Sequence, residues 1–127
     1  MHQGNDKNFH VLITEDDADV RIITKLSLSR IAHLQVSEAA NGAEAISQVT
    51  SNNFDVILLD VMMPGMDGHE VCRRLKRDPK TADIPVIFLT ARNEREDEEL
   101  GFELGAVDYL VKPVNADELA AKIRAFG

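Results

Sequence analysis

Three runs in this chain are apolar almost without interruption: "HVLIT" at 10–14, "FDVILLD" at 54–60 and "IPVIFLT" at 84–90. A strand with one face in water alternates apolar and polar residues, but a strand covered on both faces need not. Continuous Val, Ile, Leu and Phe therefore predict a parallel sheet sandwiched between helices. Two more runs complete the set, "AVDYLVK" at 106–112 and "LQVSEA" at 34–39; the latter alternates, which predicts an edge strand. Helical spacings separate the runs, with Val71 and Leu75 sharing one face of the third helix and Leu119, Ile123 and Phe126 one face of the last. Asn41 with Glu44, Asn93 with Glu96, and Asn115 with Glu118 each have the spacing of a capping-box variant at a helix start. Strand-then-helix units in this order predict an open α/β sheet with helices on both faces and right-handed crossovers.

A chain of 127 residues is one domain, large enough to close a core without staples. Residues 1–8, "MHQGNDKN", read as a loose polar leader, with the folded domain at 9–127 beginning at Phe9. The 14 basic residues fall short of the 22 acidic ones, and the net charge of −8 repels nucleic-acid phosphates and anionic membrane surfaces. Cys72 is the single cysteine; it reads as a small helix residue, excludes an internal disulfide and fits a reducing compartment. No apolar run approaches the roughly 20 residues of a membrane helix, and the N-terminus lacks a signal-peptide core, so the expected location is the cytoplasm.

In open α/β sheets, ligands bind at the carboxyl ends of the strands. Applied here, that rule gathers Glu15 and Asp16, Asp60, Thr90 and Lys112 on one rim. Two like charges about 4 Å apart repel by on the order of 4 kcal/mol at the effective dielectric near a protein surface. One acid would serve to open a helix, and Asp17 suits that task, with Asp19 as a rival. Clustered acids point further, to a bound cation that offsets the repulsion. The loop "TEDDAD" would repel a cofactor phosphate, no glycine-rich dinucleotide loop or nucleophile elbow is present, and none of His2, His10, His33 and His69 falls on the predicted rim. Acids around a divalent ion, with a hydroxyl and an amine nearby, suit phosphoryl transfer to a carboxylate.

The motifs "EDD" at 15–17, "LLDVMMPGMDG" at 58–68, "IPVIFLTAR" at 84–92 and "DYLVKP" at 108–113 resemble those of the receiver domain of two-component response regulators, over nearly the whole stretch from Phe9 to Phe126. The resemblance implies a (βα)5 flavodoxin-like fold with a five-stranded parallel sheet in the order 2-1-3-4-5. It implies that Asp60 accepts a phosphoryl group from a histidine of a sensor kinase or phosphotransfer protein. It implies a Mg2+ site made by Asp16 directly, Glu15 through water, Asp60 and the main-chain carbonyl of Met62. Lys112 then meets the phosphoryl oxygens and its bond to Pro113 is cis. Thr90 reaches a phosphoryl oxygen if its loop moves inward past the small Ala91. Tyr109, otherwise a half-buried strand aromatic, turns inward with it and repacks the surface built by the fourth helix, fifth strand and fifth helix.

Gly65 and Gly68 read as loop and helix-entry residues. Met62 cannot orient a water and Arg92 could shield the phosphate, so slow self-dephosphorylation is expected. Two rivals to the switch stay open: an interaction module that no longer takes phosphate, and an aspartyl-phosphate hydrolase, whose families place a second acid where Met62 stands. The sequence carries no output domain, so a downstream domain or partner protein is expected. Lys122 and Arg124, with Asp108, could support a phosphorylation-dependent homodimer.

Overall fold

The computed structural model describes residues 9–32 and 34–126, with the backbone alone at 31 and 32. The predicted leader at 1–8, His2 and His33 lie outside the described residues. Strands β1 (His10–Thr14), β2 (Gln35–Ala39), β3 (Val56–Leu59), β4 (Val86–Thr90) and β5 (Asp108–Val111) alternate with helices α1 (Ala18–Ala32), α2 (Gly42–Ser51), α3 (Gly68–Arg77), α4 (Arg95–Glu103) and α5 (Ala116–Phe126). The strands form one parallel sheet in the order β2-β1-β3-β4-β5, with the alternating strand β2 at an edge as its pattern predicts. After β1 the chain turns to one side of the sheet, and after β2 it crosses to the other. The strand order therefore reverses beside the carboxyl end of β1, which is where such sheets open a crevice.

The continuous apolar strands feed two cores. Val11, Ile13, Val56, Leu58, Ile87 and Leu89 pack with Leu28 of α1 and with Leu119 and Ile123 of α5. Their neighbours in sequence, Leu12, Ile57, Leu59, Val86 and Phe88, pack on the opposite face with Ala45 and Val49 of α2 and Val71 and Leu75 of α3. Successive side chains of a strand point to opposite faces, so a two-sided sheet needs an apolar residue at every position. Each such side chain contributes about 1.5–3 kcal/mol by leaving water. Cys72 lies fully within this core, where burial pushes its thiol up to about 11, as befits a packing residue. Among the described residues no helix is long and apolar enough to cross a membrane.

Two local expectations need correction. Asn41 caps α2 by accepting from the Glu44 N–H at 2.9 Å, and Asn115 accepts from the Glu118 N–H at 2.7 Å, but Asn93 caps nothing. The helix there begins at Arg95, with Glu94 in the capping position and no side-chain bond. Arg92 has already committed its N–H to Thr90 Oγ1 at 3.2 Å and its carbonyl to the Tyr109 hydroxyl at 2.8 Å, and the helix winds only after those bonds are made. Phe126 does not join Leu119 and Ile123 in the core: it is 39% exposed, on the last turn of α5.

The asymmetry between the asparagines is measurable. Asn41→Ala is expected to lower the unfolding free energy by about 1 kcal/mol, read as a fall in the urea midpoint. Asn93→Ala is expected to stay within about 0.5 kcal/mol of the parent.

Candidate functional site

The parallel ladders run one residue past the strands and fix the site from the backbone. Glu15 N–H donates to the Ala39 carbonyl at 3.1 Å, Asp60 N–H to Thr14 at 3.1 Å and Lys112 N–H to Thr90 at 2.8 Å. The ends of β1, β3 and β5 thus deliver an acid, an acid and an amine to the crevice. The loop after Asp60 is held close by Gly68, the first residue of α3, whose N–H donates to the Val61 carbonyl at 2.9 Å. A Cβ there would lie 2.1 Å from the Asp60 carbonyl oxygen, so the approach of α3 to this loop requires glycine. Gly65 turns the same loop at φ +79°. Both match the loop and helix-entry roles expected of them.

Glu15 and Asp60 are buried, Asp16 is exposed, and one carboxylate oxygen from each lies within 4.8 Å of the others. Lys112 stands between the two buried acids, with Nζ 2.5 Å from Glu15 Oε1 and 3.2 Å from Asp60 Oδ2. The other oxygen of Asp60, Oδ1, accepts from the Thr90 hydroxyl at 2.8 Å and from the Met62 N–H at 3.0 Å. Burial raises the Glu15 carboxyl; the bonds from Lys112 and the Asp17 N–H pull it down without cancelling the rise, and Asp60 adds to it. Burial alone would lower the Lys112 ammonium, but Glu15 and Asp60 together hold it above its ordinary value. Asp17 turns its carboxylate to the start of α1, accepting from the Asp19 and Val20 N–H groups at 2.9 and 3.1 Å. It, and not Asp19, opens the helix.

An all-oxygen set of one exposed and two buried carboxylates fits a hard divalent cation, which takes oxygen ligands and keeps part of its water shell. Met62 enters the site through its N–H on Asp60 and leaves its side chain 55% exposed at the mouth.

Thr90 stands within reach of the Asp60 carboxylate. It is fully buried with its hydroxyl already on Asp60, so no loop movement is needed to bring it to the carboxylate. Tyr109, expected half-buried, is 7% exposed, and its hydroxyl is anchored on the Arg92 carbonyl. Desolvation, and then the field of Asp97, push its phenol up to about 12. Ala91 is exposed beside Thr90, and the Lys112–Pro113 peptide is cis. Lys122 spends its ammonium inside the chain, 3.1 Å from Asp108.

Sequence reasoning missed three contributors. Arg21 donates to the Glu15 carbonyl at 2.7 Å and pairs with Glu38 at 3.0 Å, pinning the acid loop to β2. His69, set aside as remote, lines a cavity of about 510 Å3 with Asp16, Met62, Arg92 and Asp97, and its Nε2 lies 2.9 Å from the Asp97 carbonyl oxygen. Asp97 holds the Arg92 guanidinium at 2.9 Å. The spacing of Arg92 and Asp97 across a helix start was the one available signal.

Residues 11–124 match the family of the response regulator receiver domain. The chain is 47% identical over 115 residues to the transcriptional regulatory protein AfsQ1 of Streptomyces coelicolor, covering 91% of this chain and 49% of the relative. It is 42% identical over 115 residues to the phosphate regulon transcriptional regulatory protein PhoB of Pseudomonas aeruginosa, covering 91% and 50%. The chain thus spans about half the length of these curated relatives. The chemotaxis protein CheY4 of Vibrio cholerae superimposes with a TM-score of 0.88 at 29% identity, over 95% of this chain and 100% of that one.

The raised Glu15 carboxyl sets the sign of a pH effect. Its contribution to stability is fully present below the ordinary value of 4.5 and is lost as pH climbs through the raised one. A divalent cation held by this cluster would require the ionised form and so would offset that loss. The gain in Tm on adding the cation is expected to be small in mild acid and to grow as pH rises through the Glu15 titration, and Glu15→Gln is expected to flatten the profile. A parent profile already flat across this range would contradict it.

Proposed function

The chain belongs to the response regulator receiver family, and from that premise we propose that Asp60 is its phosphoryl acceptor, served by Mg2+ and by a histidine of a sensor kinase or phosphotransfer protein. The observation that carries this reading is the convergence on one carboxylate: Thr90 Oγ1 and Lys112 Nζ reach different oxygens of Asp60, at 2.8 and 3.2 Å. A hydroxyl and an ammonium so placed are ready to follow charge onto a transferred group.

In the transfer an Asp60 carboxylate oxygen attacks phosphorus, a C–O–P acyl phosphate bond forms, and the P–N bond to the donor imidazole breaks with its electron pair leaving on nitrogen. Asp16, Glu15, Asp60 and the Met62 carbonyl would hold Mg2+, which would supply neutralising charge for the phosphoryl oxygens. Lys112 exchanges a carboxylate partner for a phosphoryl oxygen, and Thr90 keeps its hydroxyl on the group that Asp60 becomes. The product carries about −1.5 to −2 charge if it titrates as other phosphoryl modifications do. That charge strengthens the pull on Thr90 and, through Arg92, on the hydroxyl of Tyr109, so the state of Asp60 is read on the surface of α4, β5 and α5. Downstream output passes to a further domain or a partner protein, in keeping with the greater length of the transcriptional relatives.

The acyl phosphate is long-lived in this reading because the Met62 side chain offers no hydrogen bond to an in-line water; Arg92, expected as a shield, is held by Asp97 instead and adds nothing to that lifetime. Acetyl phosphate with Mg2+ is expected to add one phosphoryl mass to the intact chain, lost in Asp60→Asn. Decay is expected to be slow and to accelerate about tenfold in Met62→Asn, the ~1.4 kcal/mol of one well-placed hydrogen bond. No mass gain would favour an interaction module, and rapid turnover an aspartyl-phosphate hydrolase.

A further inference from the structure

The ladder between β1 and β2 ends at Glu15, whose N–H still donates to the Ala39 carbonyl at 3.1 Å. The Glu15 carbonyl lies beyond the ladder and accepts instead from Arg21 Nη1 of α1 at 2.7 Å. That carbonyl belongs to the peptide unit joining Glu15 to Asp16, two of the three clustered acids. A peptide unit is planar, so holding its oxygen fixes the plane and the directions in which both residues leave it. The guanidinium that does the holding is itself braced. Its Nε donates to Glu38 Oε1 on β2 at 3.0 Å, and Lys25 Nζ lies 3.2 Å from the other oxygen of Glu38. Glu38 pairs with Ile13 in the ladder, and its carbonyl accepts from the Gln48 side chain of α2 at 2.5 Å.

Asp16 thus stands between two held peptide units. On its far side the Asp17 N–H donates to Glu15 Oε2 at 3.1 Å, but that carboxylate is one of the acids a cation would claim. Arg21 is outside the donor set, and its side chain is only 16% exposed. A guanidinium is a rigid planar fork, so it grips a carbonyl and a carboxylate at once in a defined geometry, which the compact ammonium of a lysine does not. We infer that Arg21 is the positioning residue of the acid pair: it fixes the Glu15–Asp16 peptide plane, and so the aim of both carboxylates, without touching what they hold. The bracing is made by the chain's own bonds, and only its consequence for cation affinity rests on the receiver reading. The sign of that consequence separates two roles. A cationic side chain beside a cation site opposes binding by repulsion, so removing a bystander arginine strengthens the cation's hold. Removing a positioning arginine weakens it.

The Asp16 N–H lies in the same peptide plane as the Glu15 carbonyl, so its nitrogen-15 relaxation reports on that plane directly. In the cation-free parent its order parameter is expected near the ~0.85 of rigid backbone, and in Arg21→Met, which keeps an unbranched stem, below about 0.6. A parent already loose there, or a folded variant with an unchanged value, would overturn the inference. The same amide spectra titrated with Mg2+ give the affinity. Arg21→Met is expected to bind about tenfold more weakly, the scale of a lost supporting bond behind metal ligands. Affinity equal to the parent's, or tighter, would leave Arg21 a role in charge alone and overturn the inference. Arg21→Lys keeps the charge and loses the fork; it is expected to show the same loosened plane and weaker binding, and a lysine variant like the parent in both would contradict positioning by the fork. If Arg21→Met does not fold, the lysine variant decides on these two readings. A parent that takes no Mg2+ would contradict the cation reading, whereas the order parameters, recorded without any cation, would still decide whether Arg21 holds the acid pair.

Discussion

Two buried carboxylates share one ammonium at the carboxyl edge of the sheet, and the rest of the site is arranged around that fact. Glu15 and Asp60 are brought together by parallel ladders that have no freedom to separate them, and Lys112 is the cation that makes their burial tolerable. Removing one member of such a partly buried set leaves a charge uncompensated, which is far costlier than replacing the set by apolar groups. The arrangement is therefore a poor device for stability alone. It suits a place where the balance of charge is meant to change, by the arrival of a cation beside Asp16 or of a phosphoryl group on Asp60.

From that cluster a short chain of bonds leads outward. Asp60 takes the Thr90 hydroxyl, Thr90 Oγ1 accepts the Arg92 N–H, and the Arg92 carbonyl takes the hydroxyl of Tyr109. Arg92 is thus a junction, and its guanidinium is tied to Asp97 at the start of α4. The links run through the Thr90 hydroxyl, the Arg92 backbone and the Tyr109 hydroxyl, so Asp60 and the tyrosine are joined by three consecutive hydrogen bonds. The rings of Phe88 and Tyr109 close the path against the core, where dense packing favours two discrete arrangements over a continuum.

Much of this was legible in the order of residues. Strand periodicity located the ends of five strands, the rule for open sheets placed the site at those ends, and Glu15, Asp16, Asp60, Thr90 and Lys112 followed with no further information. The missed parts depend on distant side chains meeting in space. His69 reaches the Asp97 carbonyl across 28 residues, and Tyr109 reaches Arg92 across 17. Asn93 has the composition of a cap but follows a residue whose backbone is already committed, so local spacing misleads there. Phe126 continues a helical face to the last residue of α5, where the helix end leaves it exposed. The positions of Thr90 and Tyr109 lay beyond reach for a different reason: residue types suggest the partners, whereas the bond of Thr90 to Asp60 and the contacts of Tyr109 with Phe88 and Arg92 are set by tertiary packing.

The central claim is that the Asp60 carboxylate is the acceptor and that a divalent cation beside it is required. Fluorine-19 NMR of the chain with beryllium fluoride tests this without any kinase. With Mg2+ present, resonances of protein-bound fluorides in slow exchange are expected, absent when magnesium is withheld and absent from Asp60→Asn. Bound signals of equal strength without magnesium, or their persistence in Asp60→Asn, would contradict it.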